Sequence, residues 1–388
     1  MSVFRRIMLG GGLDVDSLPD TQKIYYVGTE KVTLNDRNGL DANVIMYKYD
    51  ENTQKGEIIC AKDITKIGEK AFTSINLKEI IIPNSVTSIE KYAFYNTSSL
   101  NKVTLTDSIT SISNFAFYVS TIPEIDILIY NLTKFCTINA FENLQKSVNG
   151  RKYFFNGEII QDLIIPDDVI DIGNYVFCDY DKLTSVHISD STLSIGTKAF
   201  ADCVNLKSIY IGKNVNSISN DFVTPSYLEN ITVSEDNKTY TDYENACLVR
   251  IADNWLLRGT SKFIIPDNII TIGTYAFEEC ETEGDIIIPN SVTNIREYAF
   301  YECKAKSFIF NNGLTDIGTY AFSKCSPNIY DFRLLDHIPS IGMNTFNFID
   351  YKSKIVVPDA LYDDWILAEY WDNYADNIVK ASEYTETT

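Results

Sequence analysis

Histidine is nearly absent: the 388-residue chain has two, His187 and His337. Catalysis of the Ser-His-Asp or Cys-His kind therefore has at most two bases to draw on. Basic residues are also short, with 33 Lys and Arg against 53 Asp and Glu and a formal charge of −20. Phosphate backbones and anionic lipid are recognised by clustered Lys and Arg, so nucleic acid and membrane surfaces are poor partners. No apolar run approaches the roughly 18 residues of a spanning helix, which argues against membrane insertion. Residues 1–13 place Arg5 and Arg6 before Ile7, Met8 and Leu9, an apolar stretch too short for a signal-peptide core. Eight cysteines fall well below the density of a disulfide scaffold. Glycines 10–12 do not sit between a strand and a helix, so nucleotide binding has no support.

What is present is repetition. Ile64-Thr-Lys-Ile-Gly-Glu-Lys-Ala-Phe72 recurs at Val86–Phe94, Ile109–Phe117, Val169–Phe177, Thr192–Phe200, Ile269–Phe277, Val292–Phe300, Leu314–Phe322 and Ile338–Phe346, with weaker copies ending at Phe141 and Phe222. The closing phenylalanines are 22 to 24 residues apart except at two longer steps, of 36 and 55. Most copies are followed by an alternating segment such as Leu77-Lys-Glu-Ile-Ile-Ile-Pro83, whose period of two is that of a short strand. One such unit has nothing to cover its apolar strand face or its Phe. Stacking on its neighbours buries both, which predicts a solenoid. The glycine of Ile-Gly suits a tight backbone entry into a short helical or 3₁₀ turn that carries the Phe.

A stack needs covered ends. Lys23–Val27 and Asn43–Tyr49, either side of the polar Asn35–Asn38, read as strands of an N-terminal β cap over 21–60, after a flexible tail over 1–20. The array then runs over 61–358. At the other end Leu361, Trp365, Leu367, Tyr370, Trp371 and Tyr374 fall at helical spacing, giving a C-terminal helical cap and tail over 359–388. The two long steps read as hairpin insertions near 142–160, around Asn156-Gly157, and near 234–260.

No constellation with catalytic or metal-binding spacing stands out, and no cofactor is expected. Cys203, Cys280, Cys303 and Cys325 each follow a repeat Phe by three residues, forming a column of core thiols rather than a tetrahedral site. Acidic groups such as Asp167-Asp168, Asp179 with Asp181, and Glu235-Asp236 lack the ligand pattern of a calcium loop. Alternation does identify an outward strand face. Its second position, coil by coil, is Ile81, Thr104, Asp126, Ile164, His187, Tyr210, Thr232, Ile264, Ile287, Ile309, Arg333 and Val356, with Asp331 in the first position of its coil. Ile264, Ile287 and Ile309 would form an exposed apolar strip. With His187, Tyr210 and Arg333 they are the candidate partner-binding residues.

The motif I-x-x-I-G-x-x-A-F followed by L-x-x-I-x-I-P, at a period near 23, resembles the BspA-like (TpLRR-type) leucine-rich repeats over residues 60 to 358. The resemblance implies an α/β repeat fold: a right-handed leucine-rich-repeat solenoid with a parallel β-sheet face and short helical or 3₁₀ turns opposite. It also implies a non-enzymatic binding or adhesion module at a cell surface or secreted; the expected partner is a protein or glycan, and the chain is expected to be a monomer. The absence of an export signal leaves cytoplasmic or virion-associated locations open. A structural part of a surface layer or viral particle is the alternative, and a hydrolase using paired carboxylates is a third reading without positional support.

Overall fold

The computed structural model describes residues 15–32, 34, 39–113, 115–117, 124–137 and 151–385. The expectations for the first 14 residues, the Asn35–Asn38 turn, the weak copy ending at Phe141 and the start of the first insertion lie outside the described residues. The chain divides into two compact units, residues 1–160 and 161–388, and each contains parallel β-solenoid coils.

In the second unit the alternating segments become parallel strands. Asp162–Ile164, Ser185–His187, Ser208–Ile211 and Asn230–Val233 form one sheet. Asp285–Ile288, Ser307–Phe310, Ile329–Asp331, Lys354–Val357 and Ile378–Lys380 form another. The register follows the sequence period residue for residue, Val186 facing Ile209 and Ile209 facing Ile231. These inward side chains are buried, as period-two alternation requires.

The I-x-x-I half of the motif adds a second ladder of short strands. Two-residue strands such as Asp171–Ile172, Ser194–Ile195 and Ser217–Ile218 pair in parallel, each sending its Ile inward. The first unit repeats this with Lys66–Ile67, Ser88–Ile89 and Ser111–Ile112. Each coil therefore pairs with its neighbour along two edges.

Between these edges the chain runs through successive i to i+3 turns, for example Ala71 N to Gly68 O and Thr73 N to Lys70 O. Left-handed residues stop these turns from growing into a helix. They lie two before the repeat Phe (Lys70, Tyr92, Tyr175, Lys198, Tyr275, Tyr298, Tyr320) and two after it (Ser74, Asn96, Asp179, Asp202, Glu279, Glu302, Lys324), with φ between 50° and 61°. The motif glycines do not adopt this conformation. Their role is close approach: a Cβ on Gly318 would lie 2.6 Å from the Glu297 nitrogen, and one on Gly342 2.4 Å from that of Thr319, both one coil earlier.

The phenylalanines stack ring on ring, with centroids 4.8 Å apart for Phe94 and Phe117 and 5.1 Å apart for Phe300 and Phe322. The Phe amide donates to the Ala carbonyl of the next coil, as from Phe94 to Ala116 at 2.7 Å. Cys203, Cys280, Cys303 and Cys325 are buried in this column, and burial raises each thiol pKa. The Cys203 and Cys325 thiols donate to the Phe177 and Phe300 carbonyls, at 3.1 and 2.8 Å.

At the start of the first unit the sheet order places Lys55–Cys60 between Lys23–Gly28 and Val44–Asp50. The two strands read from sequence therefore do not pair with each other. Lys23–Gly28 instead runs antiparallel to Leu77–Ile81, continuing the repeat sheet. Asn156 and Gly157 both have positive φ, 55° and 85°, in the tight hairpin joining Arg151–Phe155 to Glu158–Ile159. In the second unit the strands Tyr240–Tyr243, Cys247–Arg250 and Trp255–Gly259 form an antiparallel meander whose last strand pairs in parallel with Thr271–Ile272.

Over the last coil, Trp365 and Trp371 pack on Phe332 at 5.6 and 5.5 Å. The residues after Pro358 form only short turns of helix, Tyr362–Trp365 being a single α turn, and then the strand Ile378–Lys380. Leu367, expected on the apolar side of a helix, is exposed.

A β-branched residue has no comfortable left-handed conformation, whereas glycine does. Lys70→Val is expected to lower the stability of the first unit by about 1–2 kcal/mol, while Lys70→Gly leaves it unchanged or higher. Denaturant midpoints of the two variants check this, and equal midpoints would contradict the strain assignment.

Candidate binding surfaces

The outward face of the second unit is built from strand positions that the core does not use. Ile164, His187, Tyr210 and Thr232 lie in register across one sheet, with Asp162, Ser185, Ser208 and Asn230 beside them. Ile164 is 68% exposed. The His187 and Tyr210 rings stack at 4.3 Å and 9°, so each covers a face of the other. The Asp162 carboxylate accepts from Thr184 and Ser185 at 2.9 and 2.6 Å. In the second sheet Ile287, 58% exposed, is in register with the half-buried Ile309.

Two candidate residues are placed differently from the sequence expectation. Ile264 lies in a stretch without strand pairing, just beyond the meander, so it does not extend the Ile287 and Ile309 row as a strand residue. There Ser261 bonds to the Leu228 carbonyl and Phe263 stacks on Phe277, so the returning chain enters the core before it can form a strand. Arg333 follows the strand Ile329–Asp331, and the residue in register with Ile309 is Asp331. Tyr330 and Phe332 turn inward and stack on Phe308 and Phe310 at 5.6 and 4.1 Å, and the 22-residue step from Phe300 to Phe322 carries Ser307 to Ile329, so the outward pair of this coil is Ile329 and Asp331. Arg333 instead forks onto the Asp331 carboxylate, Nε to Oδ1 at 2.9 Å and Nη2 to Oδ2 at 2.6 Å.

The first unit also offers a recess, which the sequence reading did not single out. Tyr25, Val27 and Ile81 form the apolar floor of a cleft of about 460 Å³, rimmed by Lys48, Glu57 and Glu79. Tyr25 and Ile81 are register partners, so the cleft arises where the N-terminal strand joins the repeat sheet. Only the pairing of that strand, which the sequence does not display, brings these residues together. Thr104 and Asp126, in the same outward row, are buried, and Lys102 pairs with Asp126 at 2.7 Å.

Titratable groups meet at three other places. His337 has both ring nitrogens engaged, Nδ1 with Asp336 at 2.9 Å and Nε2 with the Leu314 carbonyl at 2.8 Å, and the Asp336 hydrogen bond raises its pKa. Cys178, Asp179 and Asp202 bring three potential ligand atoms within 4.8 Å of one another, uniting Asp179 with the next coil rather than with Asp181. Arg258 is fully buried with one bond, from Nη1 to the Tyr275 carbonyl, while Nε and Nη2 have no partner. Beside it a polar cavity of about 270 Å³ is lined by Asp202, Asp221, Glu278 and Glu279. Desolvation, partly offset by the Arg258 charge, pushes the Glu278 carboxyl up to about 7.

Three stretches of the chain, 45–149, 148–248 and 258–363, match the BspA type leucine rich repeat region, in six copies. No curated protein matches the chain. Among solved structures, a leucine rich cell surface protein from Faecalibacterium prausnitzii is similar at 20% identity, over 85% of this chain and 89% of that one, with a TM-score of 0.51. The pneumococcal vaccine antigen PcpA is similar at 16% identity over 92% and 98% of the two chains, with a TM-score of 0.46. The T. pallidum leucine rich repeat protein TpLRR is similar at 19% identity over 54% and 84%, with a TM-score of 0.26. At 20% identity the likeness to the Faecalibacterium prausnitzii protein concerns the fold alone.

The raised pKa of Glu278 has a definite sign for stability. A carboxyl whose folded pKa lies above its unfolded value stabilises the fold while protonated, and that contribution is lost as pH rises from about 4.5 through 7. Glu278→Gln is therefore expected to match the parent near pH 4 and to exceed it by about 1–3 kcal/mol at pH 8. Denaturation at the two pH values tests this. A variant less stable than the parent at pH 8 would instead make Glu278 the indispensable counter-ion of Arg258.

Proposed function

The chain belongs to the BspA type leucine-rich repeat family, and we propose that it is a non-enzymatic binding module of a cell surface, engaging a protein or glycan partner through the outward sheet face. The family's repeats are typically binding scaffolds and usually surface-associated, which supports this reading. Among the described residues no helix is long and apolar enough to cross a membrane.

The observation that carries the proposal is a contrast in charge. The chain as a whole has a formal charge of −20. On the outward face of the second unit, the row Ile164, His187, Tyr210 and Thr232 has no acid, and neither Ile287 nor Ile309 is charged. Its acids are engaged: Asp162 and Asp285 each accept from a serine of the next coil, and Asp331 is forked by Arg333. Depletion of free charge together with exposed isoleucine and aromatic groups is the composition of an interface centre. Solubility alone would favour acids at these positions, because the fold does not use them for its core.

Ile164→Asp and Ile287→Asp put a charge on this face without touching the core. Both are expected to fold as the parent does and to reduce saturable binding of the labelled protein to intact cells at least tenfold. Protease or glycosidase treatment of the cells identifies the partner class. Binding that both variants retain in full would remove the sheet face as the contact surface.

A further inference from the structure

The turn side of the second unit changes character where its stack ends. Two positions flank the buried Ala-Phe of each turn, one three residues before the Phe and one two residues after it. The earlier coils of this unit carry polar residues at both, for example Thr274, Glu297 and Thr319 at the first and Glu279, Glu302 and Lys324 at the second. The last coil carries Met343 and Phe348 instead, 57% and 70% exposed. The core does not call for them, since Trp371 and Tyr374 already lie against the Phe346 ring at 5.6 and 5.3 Å.

The backbone is open at the same place. The residue two after the Phe donates its amide to the next coil, Glu279 to Tyr301, Glu302 to Ser323 and Lys324 to Asn347, at 2.8, 3.0 and 2.8 Å. Phe348 has the same left-handed conformation, with φ 62°, and its amide has no acceptor among the described residues. The Tyr374 hydroxyl stands in for a next coil only at Phe346, whose amide it accepts at 3.2 Å. Beside these groups lies a cleft of about 420 Å³ lined by Met343, Asn344, Asn347, Phe348, Tyr370 and Asn373. No charged side chain lines it, in a chain of formal charge −20. The Asn344 and Asn373 side chains each donate through Nδ2, which leaves their oxygens as acceptors, so the patch offers donors and acceptors together.

We propose that this end of the second unit is the contact of a two-fold dimer, in which Phe348 of each copy enters the cleft of the other. Charge selects a second copy as the occupant. Two chains of −20 repel where their ordinary surfaces meet, so an uncharged apolar patch is where they approach at least cost. A two-fold contact must also be self-complementary, with the same groups serving both sides. An open amide and Asn oxygens within one patch meet that condition, whereas a partner steered by charge finds no counterpart there. A head-to-tail stack lacks a matching open turn: at the start of the first unit Ala71 and Phe72 are fully buried, and a Cβ on Gly39 would lie 3.6 Å from the Ala71 Cα. The protein is then a dimer in place of the monomer expected from its sequence, and the contact uses neither Ile164 nor Ile287.

Sedimentation equilibrium of the full-length protein is expected to show a monomer–dimer equilibrium in the micromolar range. The test variants use residues that the array itself carries at these positions: Met343→Glu, as at Glu297, and Phe348→Asn, as at Asn96, where φ is 54°. Asparagine suits left-handed backbone better than phenylalanine, and both sites are exposed, so each variant monomer is expected to be as stable as the parent. Dimer affinity is expected to fall on the order of tenfold or more in each. Ile164→Asp is expected to leave the dimer intact. Higher salt is expected to tighten it, since screening relieves the repulsion and the contact has no ion pair to lose. A parent that stays monomeric, a dimer of unchanged affinity in both variants, or a dimer abolished by Ile164→Asp or loosened by salt overturns the proposal. Cell binding through the sheet face is read separately, so either proposal can fail while the other stands.

Discussion

Neighbouring coils are separated by one strand spacing, about 4.8 Å, and every side chain in a column must tolerate its counterpart at that distance. Flat rings tolerate it well: the repeat phenylalanines stack at 4.8 to 5.6 Å with planes within 10° of parallel. A thiol tolerates it too, and gains a carbonyl of the preceding coil as acceptor. Like charges do not. Ionic contacts across coils accordingly alternate in sign, Glu281 with Lys304, Glu302 with Lys324 and Asp190 with Lys213. They are exposed, so each adds little stability. What they accomplish is to keep an acidic chain from stacking acid on acid. Where that fails, as at Glu279 between Asp202 and Glu302, burial and the neighbouring charges together raise the carboxyl pKa.

The same spacing sets the backbone. A coil of 22 or 23 residues must turn sharply twice near the Phe, and it does so with left-handed residues that are mostly not glycine. Each such residue costs about 1–2 kcal/mol, and the cost recurs in every coil. Two compensations recur with it: the Phe amide finds the next Ala carbonyl, and in several coils the strained residue is itself a ring. Tyr275, Tyr298 and Tyr320 stack at 5.1 Å along the turn side. Strain and stacking are thus properties of the array, since an isolated coil would have the first without the second.

This explains which parts of the fold were legible. Period-two alternation and the fixed Phe spacing revealed the strands and the stacked core, because both are periodic consequences of a repeated environment. The ladder of two-residue strands was not visible, since two residues are too short to show a period. Lys55–Cys60 was missed as the middle strand because pairing order is a tertiary choice between similar apolar runs. Gly318 and Gly342 were recognised as special but for the wrong cause: the coil beside them leaves no room for a Cβ, and no single-coil pattern displays a neighbour's proximity. Arg333 was misplaced because alternation fixes only parity, which 331 and 333 share; the 22-residue step from Phe300 to Phe322, which carries Ser307 to Ile329, is what selects Ile329 and Asp331 as the outward pair. The cleft at Tyr25 and Ile81 joins residues 56 positions apart in sequence through one antiparallel pairing, a contact with no local signature.

Function is legible only where the fold is indifferent. Inward positions are set by packing, and the turn columns are set by strain and spacing. The outward strand positions are constrained mainly by β-propensity and by the next coil's charge, so what remains there is free to reflect a partner. On the second unit that freedom has produced neither the acids that dominate the chain nor a uniform polar surface. It has produced exposed isoleucine at 164 and 287, a His187–Tyr210 ring pair in which each ring covers one face of the other, and acids held by a serine or by Arg333. On the proposed contact face the ring edges offer Nδ1, Nε2 and the phenol as hydrogen-bonding groups, while the isoleucines offer apolar area. A surface of that kind discriminates by the placement of a few polar groups around apolar contacts, and its affinity should depend little on salt.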